Sequence, residues 1–288
     1  MKKRKRNGIK RAVIVLFFIL FILGGVGVLF HYRPDWKFRV EDLVTGWFDS
    51  VPIEKVEYKQ EDLKVIEVSD LERADTLMLV NETYPLEIDY AADLAYYKDT
   101  DVVMAKPVME SFSQLAAYVK KETGEKLYIR DAYRNLEEQE TVYQEKPDVA
   151  AIPGSSEHMT GLALDVYVSQ FAGYGFLKSP SGQLVNRDCW QYGFIIRYPQ
   201  FRETDTKIPF EPWHIRYVGI PHAEIITKNN LILEEYIESL EIGNFYSSCG
   251  YIITRQHGDQ ITIPKEMFDL TVSMDNMGNW IVTGKVKG

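Results

Sequence analysis

Residues 155–165 read Ser-Ser-Glu-His-Met-Thr-Gly-Leu-Ala-Leu-Asp, with a histidine and an aspartate on either side of a glycine. Glycine adopts backbone angles that other residues disfavour, so Gly161 allows the chain to turn between His158 and Asp165. The mainly apolar run 162–168 predicts a short strand that carries Asp165. The stretch therefore predicts a loop followed by a strand, with both side chains able to point toward one ion.

A second stretch, residues 209–214, reads Pro-Phe-Glu-Pro-Trp-His and runs into another predicted strand at 214–218. Pro212 restricts the backbone between Glu211 and His214, so the carboxylate can stand beside the histidine without binding the same ion. A hydrolytic zinc site uses three histidine or carboxylate ligands and a nearby general base. The residues that supply this set are His158, Asp165 and His214, with Glu211 as the base.

Each of these motifs also has an ordinary structural explanation. Histidine and aspartate frequently share loops, Glu-x-x-His occurs in capped turns, and an isolated Arg134 is most often a salt-bridge partner. The chain has only five histidines. The joint presence of both motifs therefore favours a functional site, while the spacing alone leaves the structural reading open.

Helical and strand-like segments follow one another in mixed order, which predicts an α+β fold rather than a doubly wound α/β fold. Proline begins and lysines end a helical pattern over 107–121, and a shorter helix is predicted over 136–144. Two further helical stretches are expected between 221 and 240. The glycine-rich run 173–182 is predicted to be a surface loop.

The chain after residue 30 divides into three segments. The charge-rich segment 31–75 predicts a stalk or linker with short ordered pieces. Residues 76–241 predict a compact domain with a small antiparallel sheet and flanking helices, which begins with strand-like alternation over 77–90. Residues 242–288 predict a small β-rich appendage.

The first 30 residues differ in charge from the rest of the chain. The formal charge is −9, yet residues 1–11 hold seven basic side chains and no acidic one. Residues 12–30 are uncharged and almost entirely apolar, about the length that crosses a bilayer as a helix. The basic flank predicts a cytoplasmic N-terminus and an extracytoplasmic remainder.

Two alternatives to this membrane helix are a cleaved signal peptide and a buried core helix. A signal peptide has a shorter apolar region and a small-residue cleavage site, whereas Phe-His-Tyr-Arg-Pro-Asp-Trp follows here.

The acidic remainder, with 26 basic and 42 acidic residues after position 11, argues against nucleic acid as a partner.

Four motifs in order resemble those of the VanY-type D-alanyl-D-alanine carboxypeptidases of the M15 zinc peptidase family. They are similar to S-x-Y-R-x-x-x-x-Q, S-x-H-x-x-G-x-A-x-D, Y-G-F-x-x-R-Y-P and E-x-W-H. The matching residues include Arg134, Gln139, Ser156, His158, Asp165, Glu211 and His214. Asp131-Ala132 stands where the family usually has Ser-Gly, so this chain lacks the family's serine at that position.

The resemblance implies a role for each matching residue. His158, Asp165 and His214 would bind Zn²⁺, Glu211 would be the general base, and Arg134 would hold the substrate oxygen that becomes an oxyanion. Gln139 and Ser156 would orient the peptide end. The implied partners are peptidoglycan stem peptides, or lipid-linked precursors, that end in D-Ala-D-Ala.

An extracytoplasmic domain would meet stem peptides rather than free dipeptide, which favours a D,D-carboxypeptidase of wall maturation or vancomycin-type resistance. The alternatives are an L,D-carboxypeptidase that acts on tetrapeptides and a non-catalytic wall-binding or sensor module. A binding module has no need of Glu211 or Arg134, yet both are present. A serine-type penicillin-binding enzyme is excluded because the chain has no Ser-x-x-Lys motif.

Overall fold

The computed structural model describes residues 2–46, 49–87, 90–148 and 150–286. The chain divides into two compact units, residues 1–44 and 45–288. The helices are α1 (Lys2–Tyr32), α2 (Pro34–Gly46), α3 (Lys106–Thr123), α4 (Leu136–Glu145), α5 (Pro180–Asp188), α6 (Glu203–Thr206), α7 (His222–Lys228) and α8 (Leu233–Ser239).

The strands alternate irregularly with these helices. They are β1 (Glu54–Val56), β2 (Leu63–Glu67), β3 (Glu72–Arg73), β4 (Leu94–Tyr96), β5 (Val103–Ala105), β6 (Tyr128–Asp131), β7 (Ala163–Tyr167), β8 (Phe194–Ile196), β9 (His214–Tyr217), β10 (Phe245–Ser248), β11 (Tyr251–His257), β12 (Gln260–Pro264), β13 (Phe268–Met274) and β14 (Asn279–Lys285). The predicted α+β class is confirmed.

The first unit contains the apolar segment near the N-terminus. Within α1, Val15–Tyr32 has a mean hydropathy of 2.3 and is long enough to cross a membrane. A signal sequence meets the same two criteria. The structure thus bears out a long apolar helix at this position.

The second unit contains a four-stranded antiparallel sheet, in the order β6-β7-β9-β8, which we call the site sheet. Its register pairs Asp131 with Asp165 and Asp165 with His214. Side chains paired across antiparallel strands project from the same face of a sheet. Asp165 and His214, predicted from separate motifs, are therefore direct cross-strand neighbours.

Helix α3 forms where the sequence predicts a helix, and it packs beside this sheet. A proline occupies its first turn and Gly124, with φ of 76°, ends it in the left-handed conformation. Its buried residues are Val108, Phe112, Leu115 and Val119, which share one cluster with residues of β7 and α5. Helices α4, α7 and α8 also form where the sequence predicts helices.

A second sheet corrects the prediction of a stalk. Its six strands have the order β1-β10-β11-β14-β13-β3, and β2 pairs separately with β12. Residues 54–73 thus supply three strands to structure otherwise built from residues 245–285. The physical reason lies in scattered apolar side chains that the acidic composition obscured, because Ile66, Val68 and Leu71 pack into the core of the C-terminal strands.

Two local predictions were wrong. Leu77 to Val80 are buried but form no strand, because their backbone groups bind side chains and loops, as when Leu77 N–H donates to Ser273 Oγ. The described part of 81–90 also forms no strand, and residues 88–89 lie outside the described residues. The expected loop at 173–182 contains a 3₁₀ helix with buried Phe176 and Leu177.

His222 links the helical layer to the C-terminal sheet and is fully enclosed. Its Nδ1 lies 2.6 Å from the Tyr236 hydroxyl and its Nε2 lies 3.0 Å from Thr283 Oγ1. Burial lowers the pKa of His222 to about 3. The neutral imidazole is thus the form that the folded state accommodates.

We expect this histidine to contribute to acid destabilisation. The pKa is lower in the folded state than the ordinary 6.5, so its contribution is full above pH 6.5 and is lost as pH falls toward 3. Each pH unit in that window removes up to about 1.4 kcal/mol from the free energy of unfolding. Urea unfolding of the full-length chain at pH 7 and pH 5 should therefore show a smaller loss in His222→Gln than in wild type.

His257→Gln is the matched control, because it removes an imidazole that is exposed. It should lose as much stability on acidification as wild type. Equal pH dependence of His222→Gln and wild type would contradict the assignment to His222.

Candidate metal centre and active site

Three side chains converge at one end of the site sheet. Ligand atoms of His158, Asp165 and His214 all lie within 4.8 Å of one another. Asp165 stands on β7, His214 begins β9, and His158 lies on a 3₁₀ helix over Glu157–Thr160. The structure thus brings together the three residues that the two sequence motifs predict as ligands.

His158 is fixed by a short helix and by the glycine that ends it. Gly161 has a φ of 72°, and a Cβ at this position would lie 2.7 Å from the Ala105 nitrogen. No side chain fits there, which explains the glycine physically. The His158 Nδ1 lies 2.6 Å from the Ala132 carbonyl oxygen, so Nδ1 carries the proton and Nε2 is free to bind a metal.

Glu211 stands beside the cluster, outside the direct ligand set. Its Oε2 lies 3.6 Å from His214 Nδ1, while Asp165 Oδ1 is 3.0 Å from the same nitrogen. The Glu211 N–H donates to the Tyr198 carbonyl oxygen at 3.0 Å. Burial, together with Asp165, raises the pKa of Glu211 to about 7, although His214 and Arg134 oppose the shift. A carboxylate with this pKa can both accept and return a proton near neutral pH.

The charge of the cluster fits a divalent cation. Burial alone would lower the pKa of His214, but carboxylates, chiefly Asp165 and Glu157, raise it to about 9. Burial alone would raise the pKa of Asp165, but His158 and His214 hold it well below its usual range. The buried carboxylates of Asp165 and Glu157 therefore favour a positive charge beside His214. Two imidazoles and one carboxylate are a donor set that Zn²⁺ prefers, with room for a fourth ligand.

A cavity of about 240 Å³ opens onto the cluster. Arg134 and Ser156 line it, and the Arg134 Nε lies 3.3 Å from Asp131 Oδ2. The family's serine position is thus occupied by a carboxylate near Arg134, and Ala132 supplies the carbonyl that orients His158. Two further cations in the cavity wall, Arg130 and Lys146, had not been predicted.

Gln139 differs from the other predicted substrate contacts. It is fully buried and is not among the residues that line the cavity. Its Nε2 donates to the carbonyl oxygen of Ala151, which does line the cavity, at 2.7 Å. In this structure Gln139 supports the wall of the cavity from behind.

A buried ion network behind the cluster was missed at the sequence level. Glu157, Arg197 and Arg216 are almost completely inaccessible to solvent. Arg197 Nε and Arg216 Nη1 each donate to Glu157 Oε1 at 2.6 Å. Burial would raise the pKa of Glu157, but the two arginines hold it below its usual range. The one available signal was the position of Glu157 and Arg197 inside two of the four motifs.

Comparison with known proteins agrees with this geometry. The VanY family model, described as D-alanyl-D-alanine carboxypeptidase, matches residues 101–220. A D-alanyl-D-alanine carboxypeptidase of Enterococcus faecium is 31% identical over 243 residues, which cover 78% of this chain and 79% of that protein. The chain therefore belongs to the VanY-type D-alanyl-D-alanine carboxypeptidases. The predicted enzyme class, a zinc metallo-carboxypeptidase, is confirmed with the family.

Three solved structures are similar to this one. The vancomycin-resistance D,D-dipeptidase VanXYg, bound to a D-Ala-D-Ala phosphinate analogue, has a TM-score of 0.65 at 25% identity and covers 77% of this chain and 99% of its own. A point mutant of the D,D-pentapeptidase VanY from a VanB-type resistance cassette was solved in complex with Zn(II). It has a TM-score of 0.52 at 27% identity, and the match covers 57% of this chain and 99% of that chain. The LD-carboxypeptidase LdcB has a TM-score of 0.53 at 31% identity, and the match covers 62% of this chain and 94% of that chain.

Proposed function

We propose that this protein is a membrane-anchored zinc D,D-carboxypeptidase that removes the terminal D-alanine from peptidoglycan stem peptides. The observation that carries the proposal is the convergence of His158, Asp165 and His214 within 4.8 Å, with Glu211 3.6 Å from His214. This combination provides a metal centre and a separate base, which is the minimum for metal-assisted peptide hydrolysis.

Each residue at the cavity has a distinct role in this proposal. His158, Asp165 and His214 hold Zn²⁺, which when bound lowers the pKa of a coordinated water toward about 7 and polarises the scissile carbonyl. Glu211 accepts a proton from the attacking water and returns it to the amine of the departing D-alanine. The proton ends on the leaving group, and the water oxygen ends in the new carboxylate.

Arg134 and Ser156 act on the substrate. Both line the cavity beside the metal ligands. Arg134 holds the carbonyl oxygen as negative charge develops on it, a contact that strengthens in the transition state. Ser156 contacts the peptide end. Gln139, through its bond to the Ala151 carbonyl, orients the peptide end indirectly by fixing the cavity wall.

The proposed substrates are stem peptides, or lipid-linked precursors, that end in D-Ala-D-Ala. Support comes from the relatives, because VanXYg was solved with a D-Ala-D-Ala phosphinate analogue. Removal of the last D-alanine eliminates the dipeptide that vancomycin-type glycopeptides recognise. The proposed role is therefore wall maturation or glycopeptide resistance.

The first test separates metal binding from proton transfer. We expect Glu211→Ala to retain stoichiometric zinc but to lose about 10²- to 10⁴-fold in kcat, because only the base is removed. His158→Ala should lose both zinc and turnover. Zinc content and D-alanine release are measured on the full-length chain in detergent, with Glu238→Ala, an exposed residue of α8, as the control.

Wild-type turnover by Glu211→Ala would overturn the assignment of the base. Absence of any D-alanine release by zinc-loaded wild-type protein would instead favour the non-catalytic wall-binding module.

The second test concerns the stereochemistry of the bond that is cut. The similar LdcB structure is described as an LD-carboxypeptidase, so an enzyme that trims tetrapeptides is the alternative. We expect mass spectrometry to show loss of one alanine from the pentapeptide stem and no cleavage of the tetrapeptide. Cleavage of the tetrapeptide alone would contradict the D,D assignment.

The membrane anchor is proposed for residues 12–30, with residues 1–11 in the cytoplasm and the catalytic domain on the extracytoplasmic side. Support comes from the length and hydropathy of α1 and from the basic flank that precedes it. Alkaline carbonate should leave the chain in the membrane fraction, and protease added to intact spheroplasts should degrade the enzyme unit. Release of a shortened soluble chain would indicate a cleaved signal peptide.

A further inference from the structure

Two buried polar atoms face each other behind the cluster of His158, Asp165 and His214. Glu157 Oε2 and His214 Nε2 are 3.8 Å apart. Among the residues that the structure describes, neither atom has a hydrogen-bond partner. A buried polar atom without a partner costs free energy, so this pair requires an explanation.

The two histidines of the cluster are oriented by different ring nitrogens. His158 turns Nδ1 to the Ala132 carbonyl oxygen at 2.6 Å and leaves Nε2 toward Asp165. His214 does the opposite, because its Nδ1 faces Asp165 and Glu211 while Nε2 faces Glu157. A neutral imidazole carries one N–H, and only the other nitrogen has a lone pair for a metal.

We propose that Glu157 is a positioning residue that accepts the Nε2–H of His214 and thereby presents the Nδ1 lone pair to the metal. This inference rests on the zinc site of the proposed function. A carboxylate accepts hydrogen bonds and cannot donate them when ionised, so Glu157 fixes the proton of His214 on Nε2. Shortening of the gap by about 1 Å brings the two atoms to hydrogen-bond distance.

The surroundings of Glu157 keep its second oxygen available for this contact. Arg197 and Arg216 both bind Oε1, which leaves Oε2 for His214. Arg216 is held in turn by the carbonyl oxygens of Thr76 and Met78, at 3.1 and 2.8 Å. The carboxylate is therefore an anion held in place from two sides.

A purely structural role for Glu157 predicts different behaviour. The same Arg197 also binds Glu234 of α8 through two bonds of 2.9 and 2.6 Å. Neutralising either glutamate removes one of the two carboxylates that Arg197 binds. Loss of Glu157 also removes the acceptor that faces His214 and the carboxylate that Arg216 binds, so Glu234 is the control for the contact with Arg197.

The first measurement is zinc affinity by competition with a chromogenic chelator, on the full-length chain. We expect Glu157→Gln to bind zinc about 10- to 100-fold more weakly than wild type, as is usual when a residue that orients a metal ligand is altered. Glu234→Gln should bind within about threefold of wild type. Equal weakening in both variants would reduce Glu157 to a structural member of the network and overturn the proposal.

The second measurement does not depend on whether the variants fold. The wild-type chain, labelled with ¹⁵N only in its five histidines and loaded with zinc, is studied by long-range ¹H–¹⁵N correlation. We expect the His214 ring to carry its proton on Nε2 and to bind through Nδ1, with His158 showing the reverse. A proton on Nδ1 of His214 would overturn the proposal.

Failure of the proposal differs from failure of the proposed function. If wild-type protein binds no zinc, or if His158→Ala binds it as tightly as wild type, the zinc site itself is wrong. If wild type binds zinc and Glu157→Gln binds it equally well, the zinc site stands and only the role of Glu157 is wrong.

Discussion

The antiparallel register of the site sheet is the constraint on which the centre depends. Asp131, Asp165 and His214 are paired across three adjacent strands, so one face presents them side by side. A shift of one residue in this pairing would turn a strand's side chains to the opposite face. His158, the third candidate ligand, comes from outside the sheet, through a turn at Gly161 where only glycine fits. Two of the three candidate ligands, Asp165 and His214, are thus positioned by hydrogen bonds between strands, and His158 is positioned by the conformational freedom of glycine.

Burying several carboxylates close together costs free energy unless positive charges compensate them. Asp165, Glu157 and Glu211 lie within a few ångströms of His214, and burial disfavours isolated charge. Arg197 and Arg216 offset Glu157 on the side away from the cavity. The cavity side retains an excess of carboxylate, which a divalent cation can neutralise. The arginines therefore do more than stabilise the interior, because they hold Glu157 as an anion with one oxygen facing His214.

Local patterns predicted those parts of the structure that neighbouring residues determine. Helix α3 follows from its proline, its apolar spacing and Gly124, and the convergence of His158, Asp165 and His214 follows from two short motifs. Features that depend on distant partners were not predictable. The strands within 54–73 form only because residues 245–285 offer them edges, and their acidic composition suggested a stalk. Gln139 was predicted to contact substrate, but its side-chain amide donates a hydrogen bond to the carbonyl oxygen of Ala151, twelve residues away. Glu157 is next to a ligand in sequence, but its function requires Arg197, forty residues on.

We expect the specificity of the enzyme to be determined away from the candidate metal ligands. Zinc, a base and an oxyanion contact hydrolyse any peptide bond that reaches them, and discrimination requires contacts that differ between substrates. The similar structures are described as a D,D-dipeptidase, a D,D-pentapeptidase and an LD-carboxypeptidase, so this fold accommodates all three preferences. In this chain the cavity wall adds Arg130 and Lys146 to Arg134. A carboxypeptidase substrate ends in a carboxylate, and an extra cation lowers the cost of bringing that charge next to Asp165 and Glu211. We therefore expect the length and stereochemistry of the substrate peptide to be discriminated by the wall that β6, the end of α4 and the segment supported by Gln139 form.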